Sequence, residues 1–189
     1  MDNSLNLNIL NDEGLFHSIH QLREQFIHVF SDLGNKINET NLFALHADQK
    51  GVKISQGNAL QHCPYQVLDI IRDFDKHSGF NIRIMNWWGH GLYLLVFMGQ
   101  NNTLSPRQYK AYQAASFEIT ETGSPFDYAG IIGQGRKTSI PDAENLSKHL
   151  TKYHHIQLIK QLSYPTDTAQ LLDLLQREWS MIVNIHEGN

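Results

Sequence analysis

Residues Phe80 to Gly99, FNIRIMNWWGHGLYLLVFMG, constrain the fold of this chain more than any other stretch. Two runs rich in β-branched and aromatic residues flank Gly89-His90-Gly91, the pattern of a β-hairpin closed by a short glycine-containing turn. Successive side chains of a strand point to opposite faces. Phe80, Ile82, Ile84 and Trp88 therefore share one face of the first run, and Asn81, Arg83, Met85 and Trp87 the other. In the second run Leu92, Leu94, Val96 and Met98 alternate with Tyr93, Leu95 and Phe97. Both faces are largely apolar, so the hairpin belongs at the centre of a sheet covered on each side.

The flanking segments supply the covers. Phe16, Ile19, Phe26, Phe30 and Leu33 recur at helical spacing over 12–33, with Asn11 or Asp12 as cap and Gly34 suited to the position just past the end. Residues 42–55 read as two short strands around Asp48-Gln49-Lys50-Gly51. Residues 65–74 fit two patterns, a helix through Val67, Ile70, Ile71 and Phe74 or a strand through Tyr65, Val67, Asp69 and Ile71. Helical turns after Ser105-Pro106, a short strand over 117–122, a Gly/Ser/Pro-rich loop over 123–141 and a helix over 142–152 follow. A strand over 155–162 and an amphipathic helix over 166–183 complete the chain. The expected fold is one α+β domain over 1–189, a mostly antiparallel sheet with long helices near both termini packed on it.

Composition narrows the function classes. A chain of 189 residues can bury a real core. Net charge is −4 with no Lys/Arg block, which argues against nucleic acid, whose binders carry a basic patch to neutralise phosphates. The lone Cys63 excludes an intramolecular disulfide framework and a cysteine-based zinc ribbon. The first ten residues have neither the basic start nor the apolar core of a signal peptide, and no apolar run reaches the ~20 residues that span a bilayer. A cytoplasmic protein without a membrane segment is the expectation.

Lys53-Ile54-Ser55-x-Gly57, Pro64-Tyr65-x-Val67-Leu68-Asp69, Ile82-Arg83 and Trp87-Trp88-Gly89 together resemble an uncharacterised family of Bacteroidetes proteins over about residues 51–90. The resemblance implies no activity, cofactor or catalytic residue. In the family pattern a proline soon after Leu-Asp favours an extended segment, which leans 65–71 towards strand, although Ile70-Ile71 stand there in this chain.

Eleven histidines are the one compositional excess. His17, His20, Glu24 and His28 form a stripe on the first helix, but it points away from the apolar stripe and towards solvent, so no dedicated metal site is expected. His149, His154 and His155 sit at a helix–strand junction where neighbours diverge; His149 there can favour the helix dipole when protonated. The run Gly130-x-x-Gly133-x-Gly135-Arg136-Lys137-Thr138 lacks the order of a phosphate-binding loop and reads as a flexible surface loop, with Arg136 and Lys137 as anion contacts if it acts as a lid. Cys63 beside His62 has no base oriented towards it. Asp73 and Asp75 read as turn residues. Asp69, between Leu68 and Ile70, needs a partner if buried, and Arg83 is the natural one. Trp87 and Trp88 point to opposite faces, so one of them meets a second layer, a ligand or another subunit.

Two functions compete on this reading. The first is a non-enzymatic α+β module, without cofactor, that self-associates or binds a protein partner or small ligand. The second is an enzyme whose site gathers Asp69, Arg83, His90 and loop 130–138. The candidate binding residues are Asp69, Arg83, Trp87, His90, Arg136 and Lys137.

Overall fold

The computed structural model describes residues 6–102 and 104–187. Two helices, α1 (Leu7–Leu10) and α2 (Glu13–Asn38), precede four strands, β1 (Lys53–Leu60), β2 (Cys63–Arg72), β3 (Phe80–Trp87) and β4 (Gly91–Gly99). Then come α3 (Pro106–Ala114), β5 (Glu118–Thr120), β6 (Lys137–Ser139), α4 (Ala143–Tyr153), β7 (His155–Leu162) and α5 (Thr168–Glu187). The strands form one sheet in the order β1-β2-β3-β4-β7-β5-β6, and every pairing described is antiparallel. The α+β architecture expected from the hairpin and the terminal helices is the one observed.

The alternation read from 80–99 sorts the core into two halves. Phe80, Ile82, Ile84, Leu92, Leu94, Val96 and Met98 face the helices, where they meet Phe30 and Leu33 of α2 and Leu175 and Ile182 of α5. Met85, Trp87, Tyr93 and Leu95 face the other way, against Tyr128 and Ile131. That second cover is not a helix layer but the segment after β5. The segment over 123–141, expected to be a loop with a flexible surface stretch over 130–138, in fact contains a π-helical turn at Ala129–Gly133 and the strand β6. Its apolar residues are drawn onto the sheet because an uncovered Trp87–Leu95 face would leave large apolar area in water.

Three further expectations need correction. Residues 42–44 form a 3₁₀ turn rather than a strand. Residues 65–72 are strand throughout, which decides the helix–strand ambiguity, and Gly34 does not end its helix. α2 runs on to Asn38, and a methyl group at Gly34 would lie 3.1 Å from Val52 Cγ1, so the glycine serves close approach of helix and sheet. The third concerns Phe16 and Ile19. They belong to the apolar stripe of α2 but lie 46% and 38% exposed, whereas Phe26, Phe30 and Leu33 are buried. The first three turns of the helix overhang the sheet.

A buried histidine ties α5 to α3. His186, near the end of α5, lies within hydrogen-bond reach of Gln108 Nε2 at Nδ1 (3.2 Å) and of Tyr112 OH at Nε2 (2.7 Å). An amide nitrogen only donates, so Nδ1 accepts and Nε2 carries the proton. Burial pushes His186 down to about 4, and burial with the neighbouring His155 does the same to His149. His149 is therefore held neutral rather than favouring the helix dipole as a cation. Both groups have folded pKa values below the ordinary 6.5, so the unfolded chain takes up the proton first as the pH falls. Their contribution to stability is complete above about pH 7 and is lost progressively between pH 6.5 and about 4, at up to about 1.4 kcal/mol per pH unit for each. Urea unfolding across this window should show that decline, and His186→Gln should remove its share of the slope. An unchanged slope would place the proton uptake elsewhere.

Candidate ligand-binding site

Gln66 and Asn86 are register partners on β2 and β3, and they sit on the helix-facing side with 1% and 2% exposure. Two amides in an apolar face are costly unless satisfied. Here they satisfy each other and two aromatic neighbours. Gln66 Oε1 accepts from Asn86 Nδ2 (2.8 Å) and from Trp88 Nε1 (2.8 Å), and Asn86 Oδ1 accepts from Tyr164 OH (2.6 Å). Burial pushes the Tyr164 phenol up to about 12, so it remains a donor throughout the neutral range.

Trp88 reaches this network by continuing the alternation of β3, two residues on from Asn86 and on the same face. Its backbone N–H donates to Pro64 O (3.0 Å), and Gly89 (φ +78°) and Gly91 (φ +130°) take backbone angles that L side chains rarely adopt. The Trp88 indole lines a cavity together with Leu22 and Phe26 of α2, and the short connection Tyr164-Pro165 lines it as well. Above the amide floor lies a cavity of about 520 Å³ walled by Leu22, Phe26, Trp88, Tyr164, Pro165 and Leu171. Phe26 and Tyr164 meet edge to face with centroids 6.1 Å apart. Asp167 stands at the rim, accepting from Gln170 N (2.8 Å) at the start of α5. The volume and the apolar walls with a few convergent polar groups are those of a small-molecule site.

The residues singled out from the sequence lie elsewhere, in three separate places. Asp69 and Arg83 face each other in the β2–β3 register and form a two-pronged pair, Nε to Oδ1 at 2.8 Å and Nη2 to Oδ2 at 3.0 Å. Asn81 Nδ2 also donates to Asp69 Oδ1 (3.1 Å), and Arg83 Nη1 donates to the Tyr128 hydroxyl. Phe74 and Phe126 lie 5.1 and 5.9 Å from the guanidinium carbon. The pair is 5% and 14% exposed on its two sides and is fully engaged with protein.

Trp87 and His90 form the second group, roughly 13 Å along the strand from Arg83 at the usual rise per residue. Their rings stack at 3.6 Å and 18°, and Trp87 Nε1 donates to Leu60 O (3.1 Å). Trp87 is fully buried, so the tryptophan that borders a cavity is Trp88. Arg136 and Lys137 form the third group, at the sheet edge. Lys137 pairs with Glu118, while Arg136 is exposed and its backbone is tied to Gly130 O and Glu121 N. His17, His20, Glu24 and His28 are all exposed along α2. Among the described residues, no group of three or more His, Cys, Asp or Glu side chains could hold a metal ion.

The cavity residues carried only a faint sequence signal. Gln66 and Asn86 occupy helix-facing positions of two otherwise apolar strands, which marks a polar feature inside the core, but their partner Tyr164 comes from a distant connection and Trp88 stands just past the end of β3. Compared with known proteins, the chain matches no family model, no curated protein and no solved structure.

Proposed function

We propose that this chain is a soluble, intracellular, non-enzymatic binding module that holds a small flat apolar ligand, uncharged or cationic, in the cavity beside Trp88. One observation carries the reading: the amides beneath the cavity spend their hydrogen bonds on each other, on Trp88, on Tyr164 and on the Arg23 carbonyl. That leaves mainly apolar and aromatic walls, with Gln25, Thr166 and Thr168 as polar exceptions besides Asp167. A site of this kind grips by area and shape rather than by proton transfer or nucleophilic attack. Asp167 at the rim disfavours an anion and favours a cation.

Naphthalene-sized probes test this. 1-Naphthylmethylammonium and 1-naphthalenemethanol should bind and shift the indole N–H resonance of Trp88 in a ¹H–¹⁵N spectrum, and 1-naphthoate should bind more weakly than either. Trp88→Ala should weaken binding about tenfold, the loss of roughly 1.4 kcal/mol expected for one aromatic wall. Asp167→Asn should narrow the gap between cation and anion. Binding that ignores Trp88→Ala, or no binding by any probe, would overturn the reading.

A further inference from the structure

The sheet face opposite α2 and α5 carries a second opening, at the start of β1 and the end of β2. It is a cleft of about 620 Å³ lined by Lys50, Lys53, Ser55, Arg72 and Phe74, together with Arg83 and three aspartates. Register explains why cations gather there. Lys53 is the partner of Asp69, and Asp69 of Arg83, so the three share one face. Ser55, two residues on from Lys53, shares it too. Strict alternation would send Arg72, three residues beyond Asp69, to the helix side. Instead the register of β2 on β3 shifts between Asp69 and Ile71, and Ile70 and Ile71 both enter the helix-side core. The extra residue returns Arg72 to the Asp69 face, as the partner of Asn81. Donation from Nη2 to Lys50 O (2.8 Å) anchors its guanidinium.

The acids of the cleft are committed to the fold. Arg83 and Asn81 hold Asp69. Asp73 accepts from His46 Nε2 (2.8 Å) and from Asp75 N (3.1 Å). Asp75 accepts from His77 N (2.9 Å) and Ser78 N (2.8 Å), and these backbone donors hold its carboxyl below the usual range. The cations are not so committed. Among the described residues Lys50, Lys53 and Arg72 pair with no carboxylate. Arg72 Nε is enclosed without a hydrogen-bond partner, which is costly on a charged group until an acceptor reaches it. Four cations thus face three engaged carboxylates, in a chain whose net charge is −4.

We propose that this cleft binds a small organic phosphate, with the phosphate dianion held by Lys50, Lys53, Arg72 and the Ser55 hydroxyl and the carbon skeleton laid against Phe74. A guanidinium fork matches phosphate oxygens, and the two ammonium groups add point charges beside it. The volume is that of a small-molecule site, larger than a bare phosphate needs. Phe74, half-buried, supplies the lining's apolar surface.

Phenyl phosphate, phenyl sulfate and inorganic phosphate test the proposal, titrated into the full chain near pH 8, where a phosphate monoester is a dianion. Phenyl phosphate should bind with a dissociation constant on the order of 1 mM or below. It should move the Arg72 Nε–H resonance in a ¹H–¹⁵N spectrum and leave the Trp88 indole unmoved. Inorganic phosphate, which cannot reach Phe74, and phenyl sulfate, a monoanion of the same shape, should each bind at least about threefold more weakly. Lys53→Gln alters an exposed side chain without a partner, so it should weaken phenyl phosphate about three- to tenfold at an unchanged melting temperature. Arg72→Gln should weaken it about tenfold or more. No binding at about 10 mM, or binding that ignores both substitutions, would overturn the proposal. Equal binding of inorganic phosphate would overturn the organic skeleton, and equal binding of phenyl sulfate the dianion. The Trp88 cavity is read by a different resonance and different probes, so either proposal can fail alone.

Discussion

Arg83→Met is expected to lower the free energy of unfolding by about 3–5 kcal/mol, because it strands a buried carboxylate. Asp69 is almost inaccessible, and its remaining donor, Asn81, cannot replace two charge-assisted bonds from one guanidinium. The same substitution removes the donor to Tyr128, loosening the segment that covers Trp87 and Leu95. Asp69→Asn should cost less than Arg83→Met, since the guanidinium keeps the Tyr128 oxygen and the two flanking rings. The double variant should lose less than the sum of the singles. Denaturant unfolding of all four proteins closes the cycle, and strictly additive losses would show that the pair contributes no coupling.

Trp87→Ala should cost a similar amount, about 3–5 kcal/mol, through the cavity it leaves among Met85, Tyr93, Leu95 and Ile131. It also frees the Leu60 carbonyl from its donor and removes the ring on which His90 stacks. Trp87→Phe keeps part of the packing but loses the hydrogen bond and some buried volume, at about 1–3 kcal/mol. The contrast with the next residue is the sharper measurement. Trp88 is only partly buried, so its removal should change ligand affinity more than stability, whereas Trp87 should behave the opposite way. Equal destabilisation by the two alanine substitutions would contradict the division of labour between adjacent tryptophans.

The parts of this fold that were legible in the sequence are those set by short-range geometry. Period-two alternation over 80–99 placed each side chain on its observed face, and the short 72–79 connection brought Asp69 and Arg83 close, although it is a register shift between Asp69 and Ile71 that sets the two directly opposite. The Ser105-Pro106 and Asp142 starts of α3 and α4 followed from capping chemistry, and each side chain accepts the expected backbone N–H. What failed depended on contacts between distant segments. Gly34 carries the local signal of a helix end, but the helix continues because packing on Val52 and Leu68 rewards it. Phe16 and Ile19 have the periodicity of core residues, and periodicity cannot report that the sheet stops short of them. Tyr128 and Tyr164, which complete the ion-pair and amide networks, reach them from connections whose paths no local pattern encodes. The cavity was illegible for the same reason: Leu22, Trp88 and Tyr164 converge only after the sheet, α2 and α5 have docked.

The order of strands in the sheet also sets an order in time. β1 to β4 are neighbours in sequence and in space, joined by connections of two, seven and three residues. Such hairpins close within microseconds and at small entropic cost. β7, the next strand across, is separated from β4 by 55 residues, so its pairing must wait for a long closure that carries α3, β5, β6 and α4 with it. A nascent chain emerging from the ribosome is thus expected to zip a four-stranded ribbon first, whose β4 margin, Leu92 to Met98, is apolar on both sides and not yet paired. During that interval the ribbon is open to pairing with any other exposed strand. The later arrival of β7 along the whole length of β4 ends the exposure, and slowing it should send the protein into aggregates even when the finished fold is no less stable.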